Sequence, residues 1–325
     1  MRVRSALTPA LATAMVLTAA ACGSEEPNET SASAAAGPTK VTFLALKIAQ
    51  IAPYVLAEQK GIFDKHGIDL TISYAEPPAL VPSLMSGKAD FIWNNAPALL
   101  AARGNKVPIK SVTTTSVAGD DPTAFPIQVM VPKDSAIKGL SDLAGKTVAT
   151  ASLFQLNDLA LMESLTKAGV DAKSVKFVEV PFPNMADSLK AKRVDAIIST
   201  EPFVSITKAT GTAVPLVSVS DGLAPTTPIS AIASSEKFIA GNADTVKRFR
   251  AAIDEASEYA VAHDDEVRAT VPTITELTPE LAKTIILAPI ATTDDSAGWD
   301  LWANLLVSTG ALDKKPDTAD AFIAD

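Results

Sequence analysis

The chain has 325 residues, of which 47% are hydrophobic, a single cysteine and a formal charge of -9 at pH 7. That charge argues against nucleic acid or an anionic membrane surface as a partner, and one cysteine excludes an intrachain disulfide, so burial has to supply the stability. The length suffices for one or two domains of about 100 to 200 residues each.

At the N-terminus Arg2 and Arg4 precede an apolar run over residues 6–21 that stops at Cys22. A charged start, a short apolar stretch and small residues before a cut are the anatomy of a secretory signal, here residues 1–21, whereas a spanning helix wants about 18 or more apolar residues. Ala19-Ala20-Ala21 fits the rule for simple secretion, and residues 17–23 resemble a bacterial lipobox in which Ala19 stands where leucine is usual. The lipobox is the preferred reading because it makes the solitary Cys22 the lipidation site; an accidental, unlipidated cysteine is the alternative. The expectation is an exported protein held by a lipid anchor at the outer face of the cytoplasmic membrane. Residues 22–39 have no periodicity and read as its flexible tether.

Order begins at Val41, where Val41, Phe43, Leu44 and Leu46 predict a short buried strand, followed by a helix over residues 53–60 closed by Gly61. Ile68, Leu70, Ile72 and Tyr74 alternate as a second strand. A helix near residues 80–85 ends at Gly87, and Phe91-Ile92-Trp93 makes a third strand running into Asn94-Asn95. Strands alternating with helices predict parallel βαβ units. One offset of 105 residues then lays Pro78 on Pro183, Asp90 on Asp195 and Pro97 on Pro202, with Leu70 and Ile72 opposite Val175 and Phe177. Two copies are too few for a solenoid and predict two similar α/β lobes. Pro-, Gly- and Asp-rich segments at 118–126 and 221–228 are the expected crossings, which puts residues 40–122 and 228–325 in lobe 1 and 123–227 in lobe 2. Val246, Phe249, Ile253, Ala256 and Ala260 follow at helical spacing with Asn242 as a plausible cap. Further helices are expected after Thr278 and near Trp299, the last ending at Gly310.

Ligands of parallel α/β sheets sit beyond the carboxyl ends of strands, where loops enter helices. The first strand offers Lys47 and Gln50 there, the third Asn94 and Asn95. In the second copy the matching positions are Ser152, Phe154, Gln155 and Asn157, then Phe182 and Asn184, then Ser199, Thr200 and Glu201. These are the candidate ligand-binding residues. Asn184, Asn95 and Glu201 have helix capping as an alternative role, while Phe154 and Phe182 sit in polar loops where a ring can pack on a ligand. Asp90 and Asp195 read as turn residues. Catalytic machinery is not legible: His66 and His263 lie in polar settings, and no G-x-S-x-G, P-loop, H-E-x-x-H or metal-ligand spacing occurs. No metal, no cofactor and no enzymatic activity are expected.

Several segments together resemble the solute-binding proteins of bacterial ABC importers for sulfonates, nitrate, taurine and thiamine-pyrimidine precursors. The carriers are Ala57-Glu-Gln-Lys-Gly-Ile-Phe63, His66-Gly-Ile-Asp69, Leu84-Met-Ser-Gly-Lys-Ala-Asp90, Val131-Pro-Lys-Asp-Ser135, Leu140-Ser-Asp-Leu-Ala-Gly-Lys146, Val194-Asp-Ala196 and Glu201-Pro-Phe203. The resemblance implies a two-lobed type II periplasmic-binding-protein fold, with mixed β-sheets flanked by helices and two crossing segments as a hinge. It also implies a monomer that closes on a small-molecule ligand and hands it to an ABC permease and its ATPase. A small polar or anionic organic solute is the first expectation, and a neutral heterocycle such as a thiamine-pyrimidine precursor the alternative. A ligand-presenting sensor partner shares the same features. Pyrimidine-precursor synthases resemble the fold too, but their cysteine-rich motif has no counterpart here. Thr200 stands where many relatives carry an aromatic residue before the acid-proline pair, so a stacking surface is expected to be lost.

Overall fold

A computed structural model describes residues 37–121, 125–291 and 298–323. The signal segment, Cys22 and the tether as far as residue 36 lie outside the described residues, as does part of the 118–126 crossing. Among the described residues, ten strands form two five-stranded sheets. In the first, β1 (Thr39–Ala45) pairs in parallel with β2 (Ile68–Tyr74) and β3 (Phe91–Asn95). The chain then runs through β4 (Ile109–Val117) to the second sheet, of β5 (Ile127–Pro132), β6 (Thr147–Thr150), β7 (Lys176–Glu179), β8 (Ala196–Thr200) and β9 (Ala213–Ser218). It returns as β10 (Pro228–Ser235), which is antiparallel to both β3 and β4 and completes the order β2-β1-β3-β10-β4. The second order is β7-β6-β8-β5-β9, with β5 antiparallel to β8 and β9. Both sheets are therefore mixed α/β layers, flanked by helices.

The internal repeat survives at the level of single bonds. Helix α3 (Pro77–Met85) and strand β3 reappear at the 105-residue offset as α6 (Phe182–Lys190) and β8. Asp90 Oδ2 accepts from the Thr42 N–H at 2.8 Å, and Asp195 Oδ2 accepts from the Thr147 N–H at 2.8 Å. Each carboxylate ties the turn before one strand to the neighbouring parallel strand, as short polar turn residues do. The other helices of this region are α1 (Ala52–Gln59), α2 (Ile62–Lys65), α4 (Ala96–Gly104), α5 (Leu156–Lys167) and α7 (Phe203–Ala209).

The remaining helices, α8 (Glu236–Gly241), α9 (Ala243–Ala262), α10 (Asp264–Ile274), α11 (Pro279–Ala282) and α12 (Trp299–Ser308), lie after β10 in the chain. The apolar stripe of α9 is buried as its spacing predicts, from Val246 to Ala260. Phe249 lies at its centre, stacked on Phe91 with ring centroids 3.8 Å apart and edge-on to Phe43 at 6.0 Å. Asn242 stands at the head of α9 but its side chain does not cap that helix; Nδ2 donates instead to Phe238 O at 3.1 Å, closing α8. Trp302 in α12 is fully buried and donates from Nε1 to Pro228 O at 2.6 Å, which fixes the start of β10.

An extended segment over residues 285–291 is the feature that periodicity does not announce. It runs along β4, where Pro289 O accepts from Val117 N and Ala291 N donates to Thr115 O, both at 3.1 Å. Arg268 holds its first residues by donating to Ile285 O at 2.5 Å. Among the described residues no helix is long and apolar enough to cross a membrane.

Candidate functional site

A small cavity of about 60 Å³ lies where the carboxyl ends of β1, β3, β6 and β8 meet, as the strand-end rule for parallel sheets requires. Leu46, Ile48 and Gln50 reach it from the loop after β1, Trp93 and Asn95 from β3, and Thr200 from β8. Thr150, Ser152, Gln155 and Asn157 line it from the turn between β6 and α5, and Phe182 from the head of α6. Ala288 of the extended segment, Ser116 of β4 and Ile229 of β10 also line it. Among the described residues no charged side chain lines this cavity.

Two side-chain bonds cross it from one half of the repeat to the other. Gln50 Nε2 donates to Thr200 Oγ1 at 3.0 Å, and Asn95 Nδ2 donates to Gln155 Oε1 at 2.9 Å. Asn95 performs the capping role as well, because its Oδ1 accepts from Ala98 N at 2.9 Å in the first turn of α4. Gln155 caps α5 in a reciprocal box with Asp158. Asp158 is buried, and its carboxyl accepts from the backbone N–H groups of Phe154 at 2.6 Å and Gln155 at 2.9 Å. Burial pushes that carboxyl up to about 6, against the backbone hydrogen bonds that favour its charged form.

Seven of the residues expected from sequence thus converge: Gln50, Asn95, Ser152, Gln155, Asn157, Phe182 and Thr200. Lys47 does not reach this cavity. It is exposed and lines an adjoining space of about 200 Å³ together with Glu76 and Glu276, which shares Leu46, Ile48, Pro77 and Phe182 with the first. Asn94 and Ser199 precede lining residues on their strands and so project to the opposite sheet face. The Asn94 Oδ1 accepts from Asn95 N at 2.9 Å, and Ser199 is buried at 1% exposure with its hydroxyl unpartnered. Phe154 is 40% exposed in a left-handed turn, φ 56°, and Asn184 is exposed in the first turn of α6, which Pro181 heads.

Glu201 turns away from the cavity altogether. Its carboxylate accepts from Ser205 N at 3.1 Å and Ser205 Oγ at 2.9 Å, and also from the Ile286 N–H of the extended segment. Burial raises its pKa above the usual range, opposed by those bonds and by Lys208. Both histidines have surface partners instead of a place at the cavity: His66 Nε2 meets Glu255 at 2.8 Å, and His263 stacks on Tyr259. Among the described residues no three potential ligands assemble to hold a metal ion.

Trp93, Thr150 and Ser116 line the cavity without having been singled out. Alternation carried the signal for Trp93, which shares a strand face with Asn95. Ser116 and Ala288 had none, since both come from elements distant in sequence.

A second space of about 250 Å³ lies behind the first, bounded by Tyr54, Thr115, Ser230, Arg268 and Leu287, and the two share Gln50, Ser116 and Ala288 as wall. The hydroxyls there bond one another, Ser230 meeting Thr115 at 2.7 Å and Ser116 at 2.6 Å.

Comparison with known proteins agrees with this architecture. A Brucella abortus protein provisionally named as a binding protein is 26% identical over 229 residues, 68% of each chain. The riboflavin-binding protein RibY of Chloroflexus aurantiacus is 27% identical over 67% of this chain and 60% of its own. Among solved structures, the alkanesulfonate-binding protein SsuA of Xanthomonas axonopodis, bound to MOPS, superposes with a TM-score of 0.75 at 20% identity, over 89% of this chain and 99% of that one. The profile of the NMT1/THI5-like family matches residues 48–267, from the loop after β1 to the first turn of α10. Two mixed sheets with a cavity at their facing strand ends, and a family match over most of the chain, place this protein in the NMT1/THI5-like family with the fold of periplasmic binding proteins.

Proposed function

We propose that this chain is the solute-binding protein of an ABC importer and that its solute is a compact, uncharged heterocycle. The observation that carries the choice of solute is the cavity wall, in which uncharged polar groups alternate with apolar ones and no charged side chain takes part among the described residues. An anion there would depend on backbone dipoles, each worth about 0.3 to 1 kcal/mol when exposed and up to ~2 when partly buried. Lys47, the cation that the strand-end rule offers, lies in the adjoining space with two glutamates for company. A flat heterocycle instead finds ring surface in Trp93 and Phe182 and amide partners in Gln50, Asn95, Gln155 and Asn157. The name of the riboflavin-binding relative supports the same class of solute.

Hinge bending at 118–126 and 221–228 gives the solute its entry, since the 60 Å³ space is well below the roughly 300 to 1,000 Å³ of ordinary ligand pockets. In this proposal the chain is exported, tethered through lipid on Cys22, and works as a monomer beside a permease and its ATPase. Titration calorimetry tests the solute class with an aminopyrimidine, riboflavin, taurine, MOPS and nitrate. A heterocycle is expected to bind, and Asn95→Ala to weaken it at least tenfold. Binding of a sulfonate or nitrate with no response to either heterocycle would sink the proposal in favour of the anionic reading.

A further inference from the structure

Gln50 stands in the wall shared by the cleft cavity and the space behind it. One end of its amide is used: Nε2 donates to Thr200 Oγ1 at 3.0 Å, a bond that joins residues 150 positions apart across the cleft. The other end, Oε1, is buried and has no hydrogen-bond partner. The hydroxyls of Thr115, Ser116 and Ser230 in the space behind meet one another, and none of them partners Oε1. A buried acceptor without a donor is unfavourable, and native proteins nearly always provide one.

We infer that the bound solute supplies the missing donor, an N–H or O–H placed on Gln50 Oε1, so that Gln50 selects for solutes that carry one. The inference rests on the heterocycle reading above and narrows it to heterocycles with a ring or exocyclic N–H. Acceptor-only solutes such as simple alkanesulfonates and nitrate are then disfavoured by more than the lack of a cation, because they leave Oε1 unsatisfied on closure. A site built to hydrogen-bond a given group rejects analogues that lack it far more strongly than an apolar pocket rejects a change of size.

The test is a cycle of two probe pairs against two forms of the full chain. The probes are an aminopyrimidine and its dimethylamino analogue, and riboflavin and its derivative methylated at the ring imide nitrogen. The proteins are the wild type and Gln50→Met, which keeps the length of the side chain without its polar groups. For the pair that binds, the wild type is expected to prefer the N–H form at least tenfold, about 1.4 kcal/mol, and Gln50→Met to bind both forms alike. Gln50→Glu, which keeps an acceptor, is expected to retain the preference. If wild type binds the two forms equally, or if Gln50→Met discriminates as the wild type does, the donor lies elsewhere and the inference is overturned while the heterocycle reading stands. If neither pair binds the wild type, both fall. The wild-type comparison stands without either variant, so a variant that fails to fold does not rescue the idea.

Discussion

Asp158 shows what a single residue contributes at this site. As a carboxylate it pins two backbone N–H groups at the head of α5 and holds Gln155 in the cavity wall, yet burial pushes its pKa up to about 6. A carboxyl with a raised folded pKa binds its proton more tightly in the native state, so its contribution to stability is greatest below the unfolded value near 4. That contribution is lost as pH rises through about 6. Between pH 4 and 7 the wild type should lose stability relative to Asp158→Asn, by up to roughly 3 kcal/mol from a shift of about two units. Urea unfolding of the two proteins across that range measures the difference, and parallel pH profiles would refute it. Phe249 is held by packing alone: with Phe91, Phe43 and Phe63 all in ring contact with it, Phe249→Ala should destabilise by about 3 to 5 kcal/mol in the same assay.

Among the elements, the repeated helix-turn-strand unit was legible in advance because its register is written in prolines and aspartates that do the same work twice. The repeat also explains Lys192. Gly87 closes α3 at φ 74°, and its counterpart at the 105-residue offset closes α6 at φ 53° with a lysine. The turns are otherwise alike: Lys88 N donates to Ser83 O and Arg193 N to Ser188 O, both at 3.0 Å. A residue with a Cβ pays about 1 to 2 kcal/mol for that left-handed backbone, partly offset by the greater freedom of glycine when unfolded. Lys192→Gly should therefore stabilise by about 0.5 to 1 kcal/mol, and Gly87→Ala should destabilise by a similar amount; equal unfolding midpoints for all three proteins would contradict this. What the repeat could not reveal is which side of a strand faces the cavity. Strand ends mark the cavity, but alternation brings Asn95 and Thr200 to it and turns Asn94, Ser199 and Glu201 away. Residues 285–291 escaped because an extended segment that pairs only at isolated points has neither period.

For the whole molecule, the two-sheet plan was readable from alternation and from the offset, and most of the polar cavity wall followed from the rule about strand ends. The wall contributed by Ser116, Ile229 and Ala288 was not, since it depends on how β4, β10 and a late segment return to the first sheet. Lipid anchoring is testable at this scale: Cys22→Ala should leave the membrane fraction for the soluble one, and unchanged partition would rule the anchor out. The position of β10 has a consequence in time. Strands β3 and β4 border it on either side, but residues 228–235 are synthesised only after the whole second sheet. A nascent chain therefore carries a finished second sheet while two edges of the first stand open, held apart by the strand still to come. Those edges are the stretch most exposed to mispairing. A fragment ending at residue 227 should show hydrogen-exchange protection in β5 to β9 and none in β1 to β4, and uniform protection would mean that the first sheet does not wait for its central strand.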